Sequence, residues 1–222
     1  MEIPESWTFK KDDVAKDFDQ HVREQLPWYD VVTELVTIVA KHYLPEGALA
    51  YDIGASTGNI GVALEKEIID RKITWIGIDN SESMRDVYKA KGKLEICDAI
   101  DYQFKPFNLA VCFLSIMFFQ VDKRVNWMHE LVRACKPGGA IIVVDKEVSS
   151  GGKLSTALHR ATLLCKKKHG ATAENILSKE ISLCGIQNPI PKNFFDNLDA
   201  VEIFRFGDFA AWIIEKKEYG YR

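Results

Sequence analysis

The chain of 222 residues predicts an α/β fold, a seven-stranded and mostly parallel sheet with helices on both faces. Three observations carry this. Apolar runs of strand length alternate with helical stretches. A Gly-containing turn, Gly54-Ala55-Ser56-Thr57-Gly58, follows the first such run. Acidic residues then close three successive strands, at Asp52, Asp79 and Asp98.

The elements follow in order. Leu26–His42 reads as one amphipathic helix with Trp28, Val31, Val32, Leu35, Val36 and Val39 as its apolar set, and Pro45-Glu46-Gly47 breaks it. Strand one covers 48–53, and a helix runs from the turn to residue 70. Strand two is 73–78, followed by a helix over Ser81–Lys91 that Gly92 ends. Strand three is 93–97 and strand four Phe107–Leu114. A helix from Lys123 to Cys135 leads into Lys136-Pro137-Gly138-Gly139, expected to form a sharp turn. Strand five is Ala140–Asp145, then come helices over Ser155–His169 and 172–184. Val201–Phe206 and Phe209–Glu215 form a closing pair around Gly207-Asp208. With no repeat, linker or low-complexity segment, residues 1–222 are expected to form one domain, a helical cap over 1–45 and a core over 46–222.

The turn after strand one is the most informative stretch. Gly54 and Gly58 carry no Cβ, so a ligand can approach the backbone there. The N–H groups of the new helix offer a polar cradle. Asp52, at the strand end, can accept hydrogen bonds from a cationic ligand. The spacing is D-x-G-x-x-x-G, not the G-x-G-x-x-G of a dinucleotide site. Asp79 stands where an acidic residue binds a ribose hydroxyl pair, and where it can equally cap a helix. Asp98 is placed to accept from an adenine amino group.

Composition narrows the class. Hydrophobic residues make up 47% and charged residues 27%, which excludes a disordered chain. No apolar run approaches the roughly 20 residues of a membrane span, and the opening Met-Glu-Ile-Pro-Glu-Ser does not read as a secretory signal. Neither a membrane association nor a membrane partner is expected. The five cysteines, Cys97, Cys112, Cys135, Cys165 and Cys184, are odd in number and lack a C-x-x-C pair. They read as reduced thiols in a cytoplasmic protein, with no metal site. A net charge of −3 argues against nucleic acid as a direct substrate; the basic run Lys166-Lys167-Lys168-His169 reads as a solvated helix end.

The Gly-rich turn followed by three acidic strand ends resembles the class I S-adenosylmethionine-dependent methyltransferases, whose Rossmann-like core matches the predicted alternation. Across the chain, the resemblance is to the carboxy-S-adenosylmethionine synthase family within them. The stretches that carry it are Trp7-Thr-Phe, Leu26-Pro-Trp-Tyr29, Tyr51-Asp-Ile-Gly-Ala-Ser56, Ile78-Asp-Asn-Ser81, Lys136-Pro-Gly-Gly-Ala140, Asp145-Lys146, Ile176-Leu-Ser-Lys179 and Phe206-Gly207. That family makes carboxy-S-adenosylmethionine from S-adenosylmethionine and prephenate, for modification of the tRNA wobble uridine. The resemblance implies S-adenosyl-L-methionine as cofactor and, weakly, a homodimer. It implies that Tyr29 contacts the cofactor from the cap, and that Gly54, Ala55 and Ser56 line its methionine end. Asp79 and Asn80 would bind the ribose, and Asp98 with Ala99 the adenine.

Two positions depart from that family. It has an Asn at the end of strand four, where Phe113 stands here, and a Lys-Arg pair where this chain reads Lys179-Glu180. In the resemblance that Arg pairs with the carboxylate added to the cofactor, and a Glu brings like charge instead. The expectation is therefore a methyltransferase that uses ordinary S-adenosylmethionine on a small-molecule acceptor. The alternatives are a carboxy-S-adenosylmethionine synthase-like enzyme and a non-catalytic binding protein of the same fold. The catalytic residues are not legible; Asp145, Lys146 and Glu147, at the end of strand five, are candidates for a base.

Overall fold

The computed structural model describes residues 18–149 and 151–218. The Trp7-Thr8-Phe9 stretch and the rest of residues 1–17 of the expected cap lie outside the described residues. Two helices, α1 (Phe18–Gln25) and α2 (Tyr29–Ala40), precede the sheet. α2 is the helix expected over Leu26–His42, begun three residues later because Pro27 has no N–H to join a ladder and Leu26-Pro27-Trp28 turns the chain, and α1 is a further helix before it. A 3₁₀ turn, Lys41–Tyr43, ends α2.

The strands are β1 (Leu49–Ile53), β2 (Thr74–Asp79), β3 (Lys93–Ile96), β4 (Phe107–Phe113), β5 (Cys135–Lys146), β6 (Val201–Phe206) and β7 (Phe209–Glu215). They form one sheet in the order β3-β2-β1-β4-β5-β7-β6, with only β7 antiparallel to its neighbours. Between them lie α3 (Asn59–Ala63), α4 (Glu65–Asp70), α5 (Arg124–Ala134), α6 (Gly152–Lys168) and α7 (Ala173–Ser182). The order steps outward from β1 in both directions, so β1 and β4 mark the switch point where an open α/β sheet holds ligands.

Side chains alternate across the sheet and fill two cores. Ala50, Leu109, Val111, Ile142 and Val144 face α2, α3 and α4. Tyr51, Ile53, Ala110, Cys112, Ile141 and Val143 face Trp127, Met128 and Leu131 of α5. Strands buried on both faces read as the near-continuous apolar runs seen in the sequence. Each fully buried Val, Leu or Ile contributes about 1.5–3 kcal/mol against leaving it in water.

Three further expected elements differ. The helix over Ser81–Lys91 is only a 3₁₀ turn, Glu82–Met84. The Lys89 amide donates to the Thr57 carbonyl at 3.0 Å, which ties the chain to the Gly-rich turn instead of continuing a helix. The expected turn at Lys136–Gly139 is instead the start of β5, kinked by a bulge where β4 pairing jumps from Phe107–Cys135 to Leu109–Ala140. Gly138 sits there at φ +75°, a conformation open to glycine. The helix after strand one is split at Leu64 into α3 and α4.

Candidate functional site

The loop from β1 to α3 crosses the carboxyl end of the sheet. Gly54, Ser56 and Gly58 all hold positive φ, at +74°, +49° and +82°. The Gly54 and Ala55 amides donate to the Ile78 carbonyl at 2.8 and 3.0 Å, which holds the turn over β2. A Cβ at Gly54 would lie 2.4 Å from the Ser115 Cβ. Glycine is therefore required by packing against the end of β4, before any ligand is considered. Gly58 has the same character: a Cβ there would meet Tyr88 and Ala90 within 3 Å.

Asp79 organises the turn. Its Oδ2 accepts from the Ser56 amide at 2.8 Å and its Oδ1 from the Ser81 amide at 2.9 Å. Burial raises its pKa, and those amides pull it back down. Asp52 is 2% exposed and its Oδ2 has no hydrogen-bond partner among the described residues. Burial, and then the charge of Asp79, hold its carboxyl well above the usual carboxylate range. The Ser115 hydroxyl is likewise buried without a partner.

These groups line one cavity of ≈ 160 Å³. Nine of the ten residues expected at a cofactor site meet there. Asp52, Gly54, Ala55 and Ser56 form one side, and Asp79, Asn80, Asp98 and Ala99 the other. Tyr29 enters from α2, edge-on to Phe113 at 5.3 Å. Gly58 stands outside the lining and shapes the turn from behind. Sequence reasoning missed Ser115, Met84, Phe118 and Gln120, which also line the cavity. Ser115 and Phe118 belong to the 3₁₀ segment around Ile116–Phe118, which has no chemical signature in the sequence.

The three candidate bases separate. Asp145 is fully buried: its Oδ2 accepts from the Ile116 amide at 2.8 Å and its Oδ1 from the Lys146 amide at 2.8 Å. Burial pushes its pKa up to about 7 against those bonds, and it lines neither cavity described here. Glu147 pairs with Arg205 at 3.1 Å. Only Lys146 reaches a cavity, a second one of ≈ 130 Å³ that shares Leu114 and Phe118 with the first. Glu180 lies in that second cavity, where its Oε1 meets the Lys166 Nζ at 3.0 Å. Glu180 therefore does not present a free negative charge, as the sequence comparison with the Lys-Arg pair implied. Among the described residues no His, Cys, Asp and Glu cluster fits a metal.

Such an arrangement, three acidic side chains around a cavity with a Gly-rich turn, suits a ligand with a cationic end. Comparison with known proteins agrees with this. Residues 50–139 match the family model described as a methyltransferase domain. The carboxy-S-adenosyl-L-methionine synthase of Staphylococcus epidermidis is 27% identical over 214 residues, covering 94% of this chain and 92% of that protein. The synthase of Sulfurimonas denitrificans is 26% identical over 221 residues, covering 92% and 93%. Among solved structures, the plantazolicin methyltransferase BpumL has a TM-score of 0.62 at 12% identity, over 92% of this chain and 90% of that one. Human N-acetylserotonin methyltransferase, solved with S-adenosylmethionine, has a TM-score of 0.60 at 12% identity, over 95% of this chain and 58% of that one.

S-adenosylmethionine, the ligand in the solved N-acetylserotonin methyltransferase, fits the donor set. It carries a sulfonium and an ammonium, and the buried Asp52 oxygen has no partner of its own. A cation beside that carboxyl would relieve the cost of burying it.

Proposed function

We propose that this chain, which carries a methyltransferase domain over residues 50–139 on the fold of the S-adenosylmethionine-dependent methyltransferases, transfers a methyl group to a small-molecule acceptor. The single observation that carries the reading is the orphaned, buried Asp52 carboxyl inside the cavity beneath the Gly-rich turn. When bound, the sulfonium supplies an already activated methyl group, so the protein contributes orientation and electrostatics.

The roles of the residues follow from their chemistry. Asp52 faces the cationic methionine end, beside the backbone of Gly54, Ala55 and Ser56. Asp79 spends one lone pair of each oxygen on the Ser56 and Ser81 amides and keeps others for a ribose hydroxyl pair. Asn80 stands next to it. Asp98 and Ala99 flank the adenine end, and Tyr29 closes the cavity from α2. We place the protein in the cytoplasm, on its five unpaired cysteines, and as a homodimer by analogy with the synthase relatives.

A second reading, a carboxy-S-adenosylmethionine synthase-like enzyme serving tRNA modification, is favoured by one observation. Lys166 pairs with Glu180, and Lys146 lines the same cavity, so the chain carries a cation of its own to meet an added carboxylate. Mass spectrometry of the nucleoside retained on purification separates the two. Retained S-adenosylmethionine or its demethylated product supports the first reading. Retained carboxylated cofactor replaces it with the second, and a chain that binds neither in calorimetry overturns both.

A further inference from the structure

Phe113, which stands where the resembled family has an Asn, is the last residue of β4. It pairs with Val144 of β5, and the next amide, that of Leu114, donates to the Val144 carbonyl at 2.7 Å. Leu114 holds a left-handed φ of +56°, which turns the chain across the strand ends and sets Ser115 against Gly54. Parallel pairing places Val111 beside Asp52. Side chains alternate along a strand, so Phe113, two residues after Val111, projects from the Asp52 face, nearer the carboxyl edge of the sheet. Both residues line the first cavity. Asp98 enters that cavity from beyond the end of β3, with β2 and β1 between it and β4. The ring therefore stands at the Asp52 end, away from Asp98. Tyr29 packs on it edge to face, at 5.3 Å and 76° between the planes, and holds it from the α2 side.

We propose that Phe113 determines cofactor specificity: its ring holds the sulfonium of S-adenosylmethionine by a cation–π contact, so that the site prefers the charged cofactor to neutral S-adenosylhomocysteine. The proposal rests on the S-adenosylmethionine reading of the first cavity. It serves methyl transfer and the synthase-like alternative alike, because the carboxylated cofactor is also a sulfonium.

The methionine end of the cofactor carries two cations of different kind. The ammonium has N–H donors and suits the buried Asp52 oxygen, which has no partner among the described residues. The sulfonium has no N–H or O–H to donate, so a hydrogen-bond acceptor gains little from it beyond charge. An aromatic face carries negative charge density and attracts a cation within about 6 Å of its centre, more strongly where water is excluded. Phe113 offers such a ring at the same end of the cavity, fixed by the sheet on one side and by Tyr29 on the other. For a methyltransferase the contact has a use in turnover. Once the methyl group has left, the sulfur is a neutral thioether, the ring no longer attracts it, and the product leaves more readily.

The test compares two ligands on one series of proteins. Mono-, di- and trifluorinated phenylalanine are incorporated at position 113 of the full chain. Each fluorine withdraws electron density from the ring face with little change of shape, so the fold is kept. S-adenosylmethionine and S-adenosylhomocysteine are titrated into each protein by calorimetry. Both carry the ammonium, so the ratio of their affinities reads the sulfonium alone. The preference for S-adenosylmethionine should fall with each added fluorine, by roughly two- to thirty-fold across the series, while S-adenosylhomocysteine binds as before. Folded Phe113→Leu, which keeps apolar bulk and has no aromatic face, should match the trifluorinated protein. A preference that stays constant across the series, or two ligands that weaken in step, overturns the proposal. In that case a wild type that still binds both ligands keeps the cofactor reading, whereas a wild type that binds neither overturns that reading and this proposal together.

Discussion

The Asp79 carboxylate holds the Ser56 amide at 2.8 Å across 23 residues of chain, and so fastens the β1 turn to the end of β2. The acidic residue expected to meet a ribose is thus also the clasp that builds the cavity around it.

Removing that clasp should therefore do two things at once. Asp79→Ala should lose about 1–3 kcal/mol of stability from the two amides left without acceptors. It should also weaken S-adenosylhomocysteine by roughly one to two decades. Urea denaturation and calorimetry measure the two. A stability loss with unchanged affinity would leave Asp79 with the clasp role only.

Asp52 should release a proton when the cofactor binds. Burial, and then the Asp79 charge, hold its carboxyl well above the usual carboxylate range, and a cationic ligand favours the charged form. Affinity for S-adenosylmethionine should rise with pH through the titration of Asp52. Calorimetry in two buffers of different ionisation enthalpy should show the proton release in the wild type and not in Asp52→Asn. Equal proton release in both would place the titrating group elsewhere.

Asp145 sets a pH dependence of stability with a definite sign. Its folded pKa of about 7 lies above the unfolded value of about 3.9. The folded state therefore binds more protons, and the stabilisation present below pH 4 is lost as pH rises through 7. Asp145→Asn cannot ionise, but it turns an NH₂ toward one of the amides that Asp145 accepts from. The variant should be the less stable at pH 4, with the gap closing by pH 8, on the order of 4 kcal/mol in all. Chemical denaturation across that range checks it, and a gap that stays constant refutes it.

Glu180→Gln probes the second cavity. It leaves Lys166, 7% exposed, without its carboxylate, at a cost of about 1 kcal/mol because Glu180 itself is partly in water. A competition between S-adenosylmethionine and its carboxylated form should shift toward the carboxylated form in the variant, since a negative charge has been removed and Lys166 freed. No shift would place that cavity out of reach of the cofactor's methionine end.

Most of the fold was legible because period and punctuation agree along this chain. Val111 and Ile142 sit in strands whose neighbours are apolar on both faces, and that pattern has no good alternative. The cavity was legible too, since Asp52, Asp79 and Asp98 are strand ends in a parallel sheet and must converge on one edge. What failed was local. Ser81–Lys91 has helical composition, yet the Lys89–Thr57 bond overrides it, and a contact between segments 32 residues apart leaves no mark on local sequence. The second cavity failed for a similar reason. Lys146, Lys166 and Lys179 come from β5, α6 and α7, and no spacing announces that they face one another. Lys166 looked like one more cation at a solvated helix end, but it turns inward.

Trp28 packs on Phe209 at 4.9 Å and on Phe204 at 5.9 Å, which joins the start of α2 to the last hairpin. That contact has a consequence in time. During synthesis Trp28 leaves the ribosome long before either ring it needs, and pairings so distant in sequence are slow to form. Tyr29, its neighbour, lines the first cavity. A chain stopped short of Phe204 could complete β1 through β5 and still lack a settled lid on that cavity. Binding of S-adenosylhomocysteine would then be a late event in biogenesis, a report that the final hairpin has docked.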